Sequence, residues 1–253
     1  MSPGSNASLL VLLLAGLWAG TQNALAGGGS FVTLPALLLS GLDARSANIT
    51  STIALFPGQV ATGLAGRKFV SGAQGLSFRR LMIISLAGGA VGALLLLATP
   101  STVFEAMLPW LILAATALFA WGSFVRRGAP EGHRHLGSLG ASAVQFLIAI
   151  YGGYFGGGIG FLMLAALTLA GLPVRNAGAS KNVLAAVMNA SAVVVFLFSR
   201  NIHWLAGAAL ALGAVAGGLL GAWMLKHVNE KLLRAGVVVL GVVLTVALFM
   251  RRH

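Results

Sequence analysis

The chain alternates between long apolar stretches and short stretches that hold its polar and basic residues. No charged side chain occurs before Asp43. Long apolar segments fall at about 8–25, 46–66, 80–98, 104–125, 139–156, 176–199, 204–225 and 232–250. Two shorter ones, at about 30–42 and 160–172, follow the first and the fifth of these. A bilayer core about 30 Å thick takes roughly 20 helical residues to cross. Thirteen residues of helix cover only about 20 Å, so the short segments are expected to enter the membrane without crossing it alone. The period-two alternation of barrel strands is not visible. The pattern predicts an all-α integral membrane protein with about eight full spans plus two short broken or re-entrant helices.

Composition sharpens this picture. The 253 residues are 58% hydrophobic and only 8% charged, whereas soluble domains spend about a quarter of their residues on charge. Too few charges remain to keep a soluble particle of this size wet, which excludes a soluble enzyme. The net charge of +12 comes from bases that flank apolar runs and form no continuous stripe. That placement belongs to membrane loops, not to a nucleic-acid surface. With Cys 0 there are no disulfides, thiolate metal sites or cysteine nucleophiles. Ala24-Leu25-Ala26 has the form of a signal-peptidase site. No Lys or Arg precedes Arg45, so the basic region of a signal peptide is missing and the first segment is read as a retained span.

The chain also resembles itself. Shifted by 130 residues, Gly27-Gly28 falls on Gly157-Gly158, Gly41-Leu42 on Gly171-Leu172 and Arg45 on Arg175. Eleven of the 21 positions from 27 to 47 are identical at this offset, far more than the composition gives by chance. Further along, an offset of 125 pairs Gly88 and Gly92 with Gly213 and Gly217. Two homologous transmembrane repeats are therefore expected, 1–128 and 136–253, joined by a polar linker at 129–135. Lys and Arg divide between the two sides equally well for parallel and for inverted repeats. The inverted arrangement is expected, because broken helices accompany that symmetry.

Glycine clusters, Gly27-Gly28-Gly29-Ser30 and Gly156-Gly157-Gly158-Ile159-Gly160, precede both short segments. Glycine permits a tight unwound turn there and leaves backbone uncovered. The first N–H groups of a helix lack internal partners and carry partial positive charge, so two such ends meeting at depth would hold an anion. Gly28, Gly29, Ser30, Gly157 and Gly158 are the candidates on these turns. Spaced glycines such as Gly88-x-x-x-Gly92 and Gly213-x-x-x-Gly217 read instead as helix-packing positions.

The Gly27–Ser30 hairpin with Pro35, its counterpart at Gly156–Gly158, and the polar-headed helices that follow resemble the TauE/SafE sulfite exporter family. The resemblance covers nearly the whole chain and implies transport of sulfite, sulfonates or related small organic anions. Ala165 stands where the first half has Pro35, so the second hairpin departs from the first.

Polar residues head the helix after each hairpin. Asn48, Ser51, Thr52 and Gln59 are spaced to share one face, as are Asn182 and Asn189. With Ser180 they offer the hydroxyls and amides that an oxyanion accepts hydrogen bonds from; singly, such residues also serve as interhelical glue. Lys181 lies within an apolar stretch, where a charge points to function. It would either attract substrate or snorkel to the interface. Asn23 and Tyr154 precede the glycine clusters and could face the same cavity. The expected partners are a small anionic substrate and the lipid bilayer of the cell (inner) membrane, without nucleic acid. No metal, cofactor or catalytic residue is expected. Because Asp43, Glu105, Glu131 and Glu230 all fall at helix ends or in loops, transport driven by membrane potential is the simplest mechanism. An anion channel on the same scaffold, or a membrane-embedded enzyme or assembly factor, are the alternatives.

Overall fold

A computed structural model describes residues 4–25, 28–73, 75–121, 137–224 and 230–250. The expected linker at 129–135 lies outside the described residues, as does Gly27. The described residues form α1 (Asn6–Leu25), α2 (Ser30–Leu39), α3 (Ala44–Gly66), α4 (Phe78–Ala98), α5 (Ser101–Ala120), α6 (Ser138–Tyr154), α7 (Ile159–Leu169), α8 (Val174–Leu197), α9 (Trp204–Met224) and α10 (Glu230–Met250). No β-strand occurs among them.

Among the described residues five helices are long and apolar enough to cross a bilayer: Asn6–Ala24, Phe78–Ala98, Ser101–Ala120, Asn176–Leu197 and Trp204–Gly221. The expected eight segments are all helical, but α6 has only 17 residues. The 23 residues of α3 include Arg45, Asn48, Ser51, Thr52 and Gln59, which dilute its hydropathy. Large apolar side chains also cover the outside, among them Leu86, Leu94, Leu219 and Val239. Water would not stabilise that surface; lipid would.

The short segments become α2 and α7, with ten and eleven residues. Each is entered through a left-handed glycine, Gly28 (φ 82°) or Gly158 (φ 74°), and left through another, Gly41 or Gly171. At the exits the Leu42 N–H donates to the Leu37 carbonyl at 3.2 Å, and the Leu172 N–H to the Leu167 carbonyl at 3.1 Å. Such a six-to-one bond needs a left-handed residue before its donor, and glycine adopts that conformation without a Cβ penalty. At the start of α3, Asp43 accepts from the backbone N–H groups of Arg45 and Ser46 at 3.1 and 3.0 Å. That caps two donors the helix leaves open.

Glycines set the closest packing. α9 lies along α1, and a Cβ on Gly213 or Gly217 would run into the backbone at Leu13 or Leu17. Because 13 meets 213 and 17 meets 217, these two helices run in the same direction. α4 and α6 pack likewise, with Gly88 against Phe146 and Gly92 against Ile150, again in the same direction. Removing Cβ atoms lets the backbones approach in the way small residues allow in membranes. α3 and α8 cross in opposite directions, since Gln59 meets Asn189 while Gly63 meets Asn182. α5 and α10 are also opposed: Trp110 stacks edge-on against Phe249, and Thr116 faces Gly241.

Candidate functional site

α1 ends beside the first hairpin, and its last polar side chains hold that turn. The Trp18 indole N–H donates to Gln22 Oε1 at 3.0 Å, and Gln22 Nε2 donates to the Gly28 carbonyl at 3.0 Å. Asn23 Oδ1 accepts from the Gly29 N–H at 3.0 Å. One of the N–H groups at the start of α2 is therefore already satisfied from within the protein.

The second hairpin is built differently. By the 130-residue offset the counterpart of Asn23 is Gly153, which has no side chain to offer. Gly153 packs directly on the α4 backbone at Gly89. Gly156 and Gly158 are both left-handed, and α7 begins at Ile159. Lys181 reaches this turn from the first half of α8. A Cβ placed on Gly160 would lie 3.7 Å from Lys181 Nζ, so the ammonium group sits against the first turn of α7.

Both hairpins, with the middle of α3 and of α8 and small residues of α1 and α9, line a cavity of about 70 Å³. A water needs roughly 10–15 Å³ on such a measure, so there is room for a few waters or one compact anion. Nine of the residues singled out from the sequence line it: Asn23, Gly28, Gly29, Ser30, Gln59, Gly158, Lys181, Asn182 and Asn189. Gln59 and Asn189 join across the α3–α8 crossing, where Asn189 Nδ2 donates to Gln59 Oε1 at 2.5 Å. Among the described lining residues Lys181 is the only cation, and there is no acid. Two helix N-termini and one ammonium give the cavity a positive potential without a bound metal.

The other six residues lie elsewhere. Asn48 Nδ2 donates to the Tyr154 carbonyl at 3.0 Å, and Thr52 bonds back to the Asn48 carbonyl. The Ser51 and Thr33 hydroxyls meet at 2.6 Å. Ser180 clasps the loop after α3, accepting from the Ser71 N–H at 2.9 Å and donating to its carbonyl at 3.1 Å. The Tyr154 hydroxyl donates to Thr99, and its ring stands edge-on to Phe104. Gly157 packs under the Phe155 ring. Asn48 and Gln59 share a face of α3, but 11 residues separate them by about 16 Å along the axis. Face periodicity selects an orientation and leaves depth open.

Sequence reasoning passed over Thr62, Gly20, Gly58, Ala214 and Gly218, which also line the cavity. Thr62 lies three residues after Gln59, so continuing that face would have found it. The small residues of α1, α3 and α9 carry no signal that separates cavity lining from helix packing.

Residues 12–248 match the family described as sulfite exporter TauE/SafE. A probable membrane transporter protein of Haemophilus influenzae is 31% identical over 241 residues, covering 94% of this chain and 92% of that protein. The probable membrane transporter protein ORF9 of a Sinorhizobium species is 31% identical over 244 residues, covering 95% and 92%. The probable membrane transporter protein YfcA of Escherichia coli strain K12 is 27% identical over 248 residues, covering 96% and 90%. No solved structure matches the chain. The chain belongs to the TauE/SafE sulfite exporter family and is a multi-pass membrane transporter.

Proposed function

We propose that this transporter moves small sulfur-containing or organic anions, such as sulfite or sulfonates, and holds them in the cavity between the two hairpins. The observation that carries the reading is convergence: both glycine turns, far apart in sequence, line one cavity together with Lys181. Helix N-termini there would bind oxyanion oxygens through backbone N–H groups. Lys181 would supply the counter-charge, and Asn182, Gln59 and Asn189 further hydrogen bonds. The same reading takes 1–128 and 136–253 as inverted repeats. The opposed directions of α3 against α8 and of α5 against α10 support it, because matching helices of inverted repeats run oppositely.

Potential would supply the drive. Moving one negative charge out of a negative-inside compartment releases about 2.3 kcal/mol per 100 mV. Among the described residues no acid lines the cavity, so no proton-carrying carboxylate is part of this mechanism. The test is counterflow of radiolabelled sulfite in proteoliposomes, followed by imposed potassium diffusion potentials. Saturable counterflow that accelerates with potential is expected. Conductance without counterflow would make the protein a channel, and absence of any anion flux would remove the reading.

A further inference from the structure

α3 and α8 both line the cavity, and they are tied together at each end. After α3 the chain crosses to the start of α8. There Ser71 and Ser180 exchange two hydrogen bonds, at 2.9 and 3.1 Å, and Asn176 Nδ2 donates to the Phe69 carbonyl at 3.1 Å. After α8 the chain crosses to the start of α3. There the His203 N–H donates to Thr50 Oγ1 at 3.2 Å, and Asn201 Nδ2 donates to Ser46 Oγ at 3.4 Å. The two ties are images of each other. Ser46 and Thr50 match Asn176 and Ser180 at the 130-residue offset, and the loop residues that meet them are two apart in both halves.

Their position bears on access to the cavity. Leu55, Gly58, Gln59 and Thr62 form the wall on α3, with Thr50 before them and the loop of Phe69 and Ser71 after them. On α8, Ser180 stands immediately before the wall residues Lys181 and Asn182. From Thr50 to the end of α3 is about 24 Å along the helix axis, so the ties belong to opposite faces of the membrane. Parting α3 from α8 at one face breaks that tie and leaves the other in place. A carrier built from inverted repeats opens its site to one face at a time.

The ties are unequal. At the first, no hydrogen bond is longer than 3.1 Å. Just beyond it Ala73 and Leu76 exchange backbone hydrogen bonds and are buried in a cluster with Met163 of α7 and Leu184 of α8. The second has a bond of 3.4 Å, near the outer limit of useful geometry, and its His203 is exposed. Arg67, Lys68, Arg79 and Arg80 are exposed on either side of the first tie, a basic flank that belongs on the cytoplasmic face.

Resting on the inverted-repeat transport reading above, we infer that Ser180 and Thr50 latch the two mouths of the cavity, Ser180 the cytoplasmic and Thr50 the outer, and that the outer latch opens first. The empty carrier then opens outward more often than inward.

The chain has no cysteine, so one introduced thiol reports access. Gly218 lines the cavity, and a Cβ there meets nothing within 4 Å, so Gly218→Cys places a thiol on the wall without displacing a neighbour. Its labelling by a membrane-impermeant maleimide is timed from each face of proteoliposomes, without substrate. Faster labelling from the outer face is expected. Thr50→Val keeps the shape and loses the hydroxyl; it is expected to raise the outer rate roughly threefold to tenfold and the cytoplasmic rate not at all. Ser180→Ala is expected to raise the cytoplasmic rate by a similar factor. Asn201→Ala and Asn176→Ala, at half-buried positions, test the same two ties if the buried variants misfold. Rates unmoved by all four substitutions would overturn the inference, as would variants of both ties acting at the same face or faster labelling of the unlatched-free parent from the cytoplasmic face. Sulfite counterflow on the same samples keeps the two readings apart. Counterflow with unmoved labelling removes the latches and leaves anion transport; shifted labelling without counterflow removes sulfite as cargo and supports the latches.

Discussion

Lys181→Met is the perturbation that most directly tests the cavity. Methionine is unbranched and similar in length, so it removes the charge while filling the same space. The ammonium lies against the first turn of α7, and a ligand on that turn would come within about 4 Å of it. At that separation a unit charge pair is worth about 4 kcal/mol at an effective dielectric of 20. Desolvating the ligand and the lysine returns much of this, and a net loss of about 1.5–3 kcal/mol is expected. That corresponds to a rise of roughly tenfold to a hundredfold in sulfite Kd. Equilibrium binding of radiolabelled sulfite to the purified variant gives the number, and its melting temperature in detergent reports whether it is folded. A lysine that only snorkels predicts the opposite, since methionine would serve as well or better in the bilayer. Wild-type affinity in a folded Lys181→Met protein would refute the role assigned to this charge.

Two further outcomes follow from local geometry. Gly158 and Gly75 share nearly the same left-handed backbone, but a Cβ on Gly158 would come within 3.1 Å of Ala115, whereas Gly75 has open space. Alanine at either position should cost about 1–2 kcal/mol in backbone strain, yet only Gly158→Ala should also lower transport; equal flux in the two variants would reduce Gly158 to a structural turn. Partial burial pushes the Asp43 carboxyl up, but hydrogen bonds from the Ser46 side chain and from the Ser46 and Arg45 N–H groups, with the Arg45 charge, hold it below its usual value. A lowered folded-state value means the stabilisation is present above the unfolded value and is lost as pH falls through the folded one. Thermal melts of wild type and Asp43→Asn, which keeps an N-cap acceptor, should therefore converge on acidification, and a gap that persists unchanged below the carboxylate range would refute the assignment.

Much of the helical frame was legible because apolar run length speaks directly to helix length, and all ten expected segments are helical. The entry turns were legible because consecutive glycines leave few alternatives: Gly28 and Gly158 both take positive φ, as do the isolated exit glycines Gly41 and Gly171, which the sequence marked only as a matched pair. The site was read less evenly. Residues on the hairpins themselves, such as Gly29 and Ser30, reached the cavity, as did those near the α3–α8 crossing. Asn48, Ser51 and Ser180 have the same chemistry, but Asn48 and Ser51 lie further along α3 from the cavity, Ser180 lies off the face by which its neighbours Lys181 and Asn182 reach it, and all three bond within the protein. Side-chain chemistry is written in the sequence; the height at which two helices cross depends on packing between residues far apart in it.

The crossing also shows why similar hairpins need not do the same work. At the first hairpin Asn23 spends its carbonyl on the Gly29 N–H, so a ligand oxygen arriving there must displace an amide already in place. The second hairpin has Gly153 where Asn23 would stand, and Gly153 cannot accept a side chain because the α4 backbone lies against it. The position matching Lys181 in the first half is Ser51, which is committed to Thr33. Charge is thus gathered at the α7 end, where the N-cap Gly158 has no side-chain cap, while at the α2 end Asn23 takes one of the backbone donors.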